Sequence, residues 1–158
     1  MKKYFVRLLV MMAAAFFVGC NEPSVTITNL TCEYLTDPLG IDVTEPQLSW
    51  QLESGQRGQK QTAYRLLVAS SFEKLDKNIG DLWDAGKVKS DQSLNVVYKG
   101  LNLRSRTGYF WKVRVWDSGR QVSAWSEPAS LSMGILSEDQ WLGKWIQSDL
   151  SLYDNYFN

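Results

Sequence analysis

Beyond residue 24 the chain carries a two-residue hydrophobic period and no helical period long enough for a confident helix, which leaves few architectures open. The clearest run is 109–116, where Tyr109, Trp111, Val113 and Val115 fall on one side and Lys112 and Arg114 on the other. Residues 25–32 alternate in the same way and are rich in β-branched side chains. In 47–52 the alternation sets Leu48, Trp50 and Leu52 on one face, and in 62–70 it aligns Tyr64, Leu66 and Val68. Shorter strands are expected at 82–84, 95–98, 122–125 and 129–133, and Phe72 to Asp76 reads as one helical turn capped by Ser70 or Ser71. Turn residues punctuate these runs. Asp37-Pro38-Leu39-Gly40 combines a preset φ with a residue free to take positive φ, and Asp117-Ser118-Gly119 closes the longest strand. About seven short strands between regular breaks predict an all-β sandwich.

The first residues belong to a different class. Lys2, Lys3 and Arg7 precede an apolar run from Leu8 to Gly19, and Asn21-Glu22-Pro23 breaks it at once. A basic start and a short apolar stretch form a secretory signal, too short for a membrane span of about 20 apolar residues. Gly19-Cys20 at its end resembles a bacterial lipobox, with Phe17 and Val18 in place of the commoner Leu-Ala/Ser pair. Cys20 is therefore the expected lipidation site, and the chain is expected to be exported and anchored to the outer membrane or cell surface of a bacterium. The resulting division is a signal peptide at 1–19, a tether at 20–24, a sandwich at 25–135, and a linker or start of a following domain at 136–158. With Cys20 lipidated, Cys32 has no intramolecular partner and reads as a small buried apolar residue.

Charge points to no special partner. Removing Lys2, Lys3 and Arg7 from 17 basic residues leaves 14, which against 17 acidic ones gives a mature net charge of −3. No basic patch suggests nucleic acid. Histidine is absent, so Ser-His and Cys-His nucleophiles and His-ligated zinc are excluded. Gly55-Gln56-Arg57-Gly58 lacks the Gly-Lys-Ser/Thr continuation of a phosphate loop, and no cofactor or metal residue is expected. Carboxylates remain: Asp37 with Asp42, Asp81 with Asp84, and Glu138 with Asp139. A glycosidase needs two of them about 5 to 9 Å apart across a cleft, whereas these sit in turn-forming, solvated contexts.

Seven Trp residues are many for this length. Trp116, Trp125, Trp141 and Trp145 are not placed inside by the strand pattern, so each is a candidate sugar platform or interface residue. Trp125, in Ser123-Ala124-Trp125-Ser126-Glu127, is expected to tuck against the sheet. Trp141 and Trp145 lie four apart and are candidates for glycan contact or, preferably, for an interface with a following domain.

The motif blocks resemble a known family. Pro38-Leu39-Gly40-Ile41-Asp42, Pro46-Gln47-Leu48-Ser49-Trp50, Arg57 to Ser70 and Leu82-Trp83-Asp84-Ala85-Gly86-Lys87-Val88 are similar to the N-terminal domain of bacterial α-L-rhamnosidases. Tyr109 to Asp117, Trp125-Ser126-Glu127, Met133-Gly134 and Trp145-Ile146 continue the likeness in order, over about residues 25 to 146. Leu103 and Tyr109 resemble the pair of a tyrosine corner, which fits an immunoglobulin/fibronectin III-like sandwich. The resemblance implies an accessory domain of a large secreted enzyme. In that family a distant (α/α)₆ barrel removes terminal α-L-rhamnose with inversion, using carboxylates. None of the barrel lies in this chain, so no catalytic residue is carried over. The next β domain is expected just after Trp145-Ile146. Two readings follow. One is the N-terminal piece of such an enzyme, partnered by its downstream domains. The other is a free-standing surface lipoprotein whose sandwich binds glycan or a protein.

Overall fold

A computed structural model describes residues 25–144; Cys20 and Trp145 lie outside them. Among the described residues, seven strands form two antiparallel sheets. The smaller contains β1 (Thr26–Cys32), β2 (Gln47–Glu53) and β5 (Val96–Val97), in the order β1-β2-β5. The larger contains β3 (Gln61–Ala69), β4 (Trp83–Asp84), β6 (Gly108–Asp117) and β7 (Ala129–Ser132), in the order β4-β3-β6-β7. This is the expected sandwich. The two inner faces meet in one core, in which Leu48 and Trp50 of β2 join Tyr64, Leu66 and Val68 of β3 and the odd residues of β6. Trp50 packs edge-on to Tyr64 with ring centres 5.2 Å apart. Its indole Nε1 donates to the buried Gln61 Oε1 at 3.0 Å, and Gln61 Nε2 donates in turn to the Ser90 and Gln92 carbonyls. A Trp fills the centre without leaving its one donor unpaired.

The tyrosine corner is present. Tyr109 Oη accepts the Arg104 backbone N–H at 2.8 Å, and Leu103 is buried in the core beside it. Cys32 is buried as expected; burial first, and the neighbouring Glu33 charge second, push its thiol up to about 12. Phe72–Asp76 forms the short helix α1, with Ser71 as its cap. Leu75 of α1 packs on Leu67 and Ala69, forming a second small cluster on the outer face of the larger sheet. Both faces of the C-terminal half of β3 are therefore covered, and its burial is continuous there instead of alternating.

Two segments behave differently from their sequence reading. The strand expected at 122–125 forms only the single bridge Trp116 to Val122. Ser123 and Ser126 occupy both the backbone and side-chain positions of a ladder: their amides donate to the Val115 and Val113 carbonyls, and their hydroxyls accept the N–H groups of the same two residues. These short side chains satisfy the edge of β6 where β7 no longer reaches. The Asp37-Pro38-Leu39-Gly40 block, read as a breaker, continues into Ile41 and runs parallel to the outer edge of β7. The Ser132 N–H donates to the Pro38 carbonyl, the Ile41 N–H to Ser132, and the Gly134 N–H to Ile41. Asp37 fastens its start by accepting both the Ser130 N–H and hydroxyl. A free sheet edge is thereby closed.

Candidate interaction surface

The outer face of the larger sheet carries a ladder of alternating cations and indoles. Lys87 Nζ lies 4.2 Å from the Trp116 ring centre, and the Arg114 guanidinium lies 5.3 Å from Trp116 and 4.6 Å from Trp125. Lys112 Nζ follows at 5.1 Å from Trp125, with Arg65 at 6.0 Å. The register explains the arrangement. Antiparallel pairing places Arg65 of β3 directly opposite Arg114 of β6, a like-charge pair that would be destabilising alone. Arg65 is turned to Asp84, with Nε to Oδ1 at 2.9 Å and Nη2 to Oδ2 at 2.6 Å, while Arg114 lies over the two indoles. Desolvation lowers the proton affinity of both Arg114 and Lys112. Trp125 also touches the α1 cluster, so it tucks against the sheet as expected. Cationic side chains thus lie over the rings of Trp116 and Trp125, where a sugar would have to compete with them.

The candidate carboxylates are engaged elsewhere. Burial alone would raise the Asp81 carboxyl, but Lys74 Nζ at 2.8 Å and the Ser70 hydroxyl and amide outweigh it and hold Asp81 at about 2. The hydrogen bonds from Arg65 likewise hold Asp84 below its usual value, against the opposing effect of burial. Asp37 is the staple at β7, and Asp42 is exposed. Glu138 and Asp139 sit in an exposed 3₁₀ turn (Glu138–Gln140), where Asp139 accepts the Ser137 hydroxyl. A general acid must hold its proton near neutral pH, and Asp81 and Asp84 are driven the opposite way.

Apolar exposure gathers where the chain leaves the sandwich. Two adjoining grooves meet at Leu103, one running along Arg104, Arg106, Leu136 and Leu142, the other along Thr44, Val97 and Lys99. Arg106 bridges this end: its N–H donates to the Gly134 carbonyl and its Nη2 to the Gln140 carbonyl at 2.7 Å. Ser105 Oγ accepts the Leu136 N–H at 3.0 Å. Trp141, singled out by sequence, is 61% exposed at the end of this braced segment, beside Leu142 at 82%. Leu39 and Leu101, which sequence reading did not single out, are 88% and 63% exposed at the same end. Their signal was weak because a lone Leu in a loop carries no period.

A family model described as the Rha78A-like, N-terminal immunoglobulin domain matches residues 27–137. The chain belongs to that family. Over 126 residues it is 44% identical to an α-L-rhamnosidase of Streptomyces avermitilis, a match covering 80% of this chain and 12% of that protein. An α-L-rhamnosidase of Formosa agariphila is 39% identical over 142 residues, covering 86% of this chain and 15% of the relative. Among solved structures, the α-L-rhamnosidase from Dictyoglumus thermophilum superposes with a TM-score of 0.76 at 42% identity, over 78% of this chain and 14% of that one. The Streptomyces avermitilis α-L-rhamnosidase complexed with L-rhamnose gives 0.77 at 43% identity, over 81% of this chain and 12% of that one. The chain therefore spans about an eighth to a seventh of the length of these relatives. The Rha78A-like likeness bears out the resemblance read from the motif blocks, and the residues 57–70 and 109–117 that carried it form β3 and β6, the central pair of the larger sheet.

Proposed function

We propose that this Rha78A-like domain is a non-catalytic accessory domain at the N-terminal end of a glycoside hydrolase that removes terminal α-L-rhamnose from plant or bacterial glycans. One observation carries the reading: a 126-residue match at 44% identity to an α-L-rhamnosidase, of which it makes up 12%. The state of the carboxylates supports it, because Asp81 and Asp84 are committed to cations as ionised groups. Hydrolysis with inversion asks for one protonated carboxyl and one carboxylate facing each other across room for a water. In this reading the work of the domain is structural, and its partners are the other domains of the enzyme. The chain is exported and held at the outer membrane or cell surface by a diacylglycerol on Cys20, a reading supported by the basic start, the apolar run and Gly19-Cys20.

The test is turnover and binding by the isolated protein. No hydrolysis of an aryl α-L-rhamnoside above a blank is expected, and no retardation in a gel containing rhamnose-rich polysaccharide. Measurable turnover would sink the non-catalytic assignment. Clear retardation would favour instead a free-standing lipoprotein that binds glycan.

A further inference from the structure

We propose that the exit end of the sandwich is a docking face for the next folded domain of a longer chain, which buries Leu39, Leu101, Trp141 and Leu142 against apolar side chains of its own. This rests on the accessory-domain reading and names the partner surface within it. Three observations carry it. First, the matched segment is N-terminal in its family and makes up only 12 to 15% of the curated relatives described above, so most of each of those proteins lies beyond it. Second, the segment leaving the sandwich is braced. Ser105 holds Leu136, and Arg106 holds Gly134 and Gln140, so Trp141 and Leu142 project from a fixed base. A flexible tether would be polar and rich in Gly or Ser, whereas this segment carries Trp141-Leu142.

Third, the apolar groups converge on that base from separate loops. The Gly134 N–H donates to the Ile41 carbonyl at 2.7 Å, and a Cβ on Gly134 would lie 2.8 Å from the Gly40 carbonyl oxygen, so Leu39 stands beside the departing chain. Leu101 reaches the same end through the loop that carries Leu103, the residue shared by both grooves. An interdomain contact buries about 600–1,500 Å². A single large aromatic covers about 150–250 Å², so four large apolar side chains supply the centre of such a patch.

The experiment compares the 158-residue chain with the chain extended through all of the domains encoded after it, by hydrogen–deuterium exchange. Amides of 99–106 and 136–142 are expected to exchange about tenfold more slowly in the longer chain, with the Asp117–Gln121 turn at the opposite end of β6 unchanged. In the longer chain, Trp141→Ala combined with Leu142→Asp is expected to reverse that protection and leave β6 protected. Equal exchange at the exit end in both chains, with hydrolysis of aryl α-L-rhamnoside by the longer one, would overturn docking and leave the accessory-domain reading standing. Protection without hydrolysis would support docking and overturn the reading. A gene that encodes no further domain would overturn both.

Discussion

Replacing Trp125 by Ala tests whether the cation–indole ladder is a structural device or a sugar platform. Trp125 is half-buried, so it forfeits about half of the 3–5 kcal/mol that a fully buried Trp→Ala change costs, or about 2 kcal/mol. Its contacts with Arg114 at 4.6 Å and Lys112 at 5.1 Å add about 0.5 kcal/mol each at partly exposed sites. The sum is about 3 kcal/mol, a large share of the roughly 5–15 kcal/mol that holds a domain folded. At about 3–4 °C per kcal/mol for a domain of this size, Tm falls by about 10 °C. Trp125→Leu keeps apolar contact with the Leu67, Ala69 and Leu75 cluster but loses the ring face, so it costs about 1 kcal/mol. Urea unfolding followed by circular dichroism reads both values without relying on the fluorophore that is removed. A Trp125→Ala protein within about 0.5 kcal/mol of the parent would refute the reasoning. If its midpoint were unchanged while retention on rhamnose-rich polysaccharide fell, the indole would be a glycan contact.

Two further outcomes are expected. The depressed carboxyls of Asp81 and Asp84 favour the folded state above the unfolded value near 3.8, and that contribution disappears as pH falls toward about 2 for Asp81. Stability should accordingly be level from neutral pH down to about 5 and decline below 4, with a shallower acid limb in Asp81→Asn, read from urea midpoints across pH. Cys20→Ser is expected to abolish incorporation of labelled palmitate in a bacterial host and release the protein from the membrane fraction; persistent labelling would place the anchor elsewhere.

Much of the fold was legible because its strands announce themselves locally. The odd residues of β6 are all buried, the Ser71 cap and the Leu103–Tyr109 corner form as read, and Cys32 is a buried core thiol. What escaped depends on register and on contacts remote in sequence. That Lys112 and Arg114 leave the core face is visible in the alternation; that Lys112 is only 6% exposed is not, because its cover comes from Trp125 on a segment expected to be a strand. The opposition of Arg65 and Arg114 exists only once β3 and β6 are aligned. The closure of the β7 edge by Pro38 to Ile41 joins residues more than ninety positions apart, as the bond from the Gly40 N–H to Ser132 Oγ shows with a separation of 92. Turn chemistry marks such a block as a break and says nothing of where it docks.

On the larger sheet, Asp37, Asp81 and Asp84 are committed to folding. Each acidic group tied down on the larger sheet solves a local problem. Asp84 takes up the guanidinium that would otherwise confront Arg114, Asp81 anchors the segment after α1 to Ser70 and Lys74, and Asp37 pins the segment that shields β7. For Asp81 and Asp84 the solution keeps the carboxylate ionised, held by the cation beside it. A general acid requires the reverse, a carboxyl kept protonated by an apolar or like-charged setting. Turning Asp81 or Asp84 into such a group would mean removing the cation beside it and losing the structural tie at the same moment. What the sandwich leaves unspent is apolar: Leu39, Leu101, Trp141 and Leu142 at the end where the chain departs. Apolar groups left facing water serve association and not bond cleavage. On the docking proposed above, these four side chains would be the contribution of the domain to a larger protein.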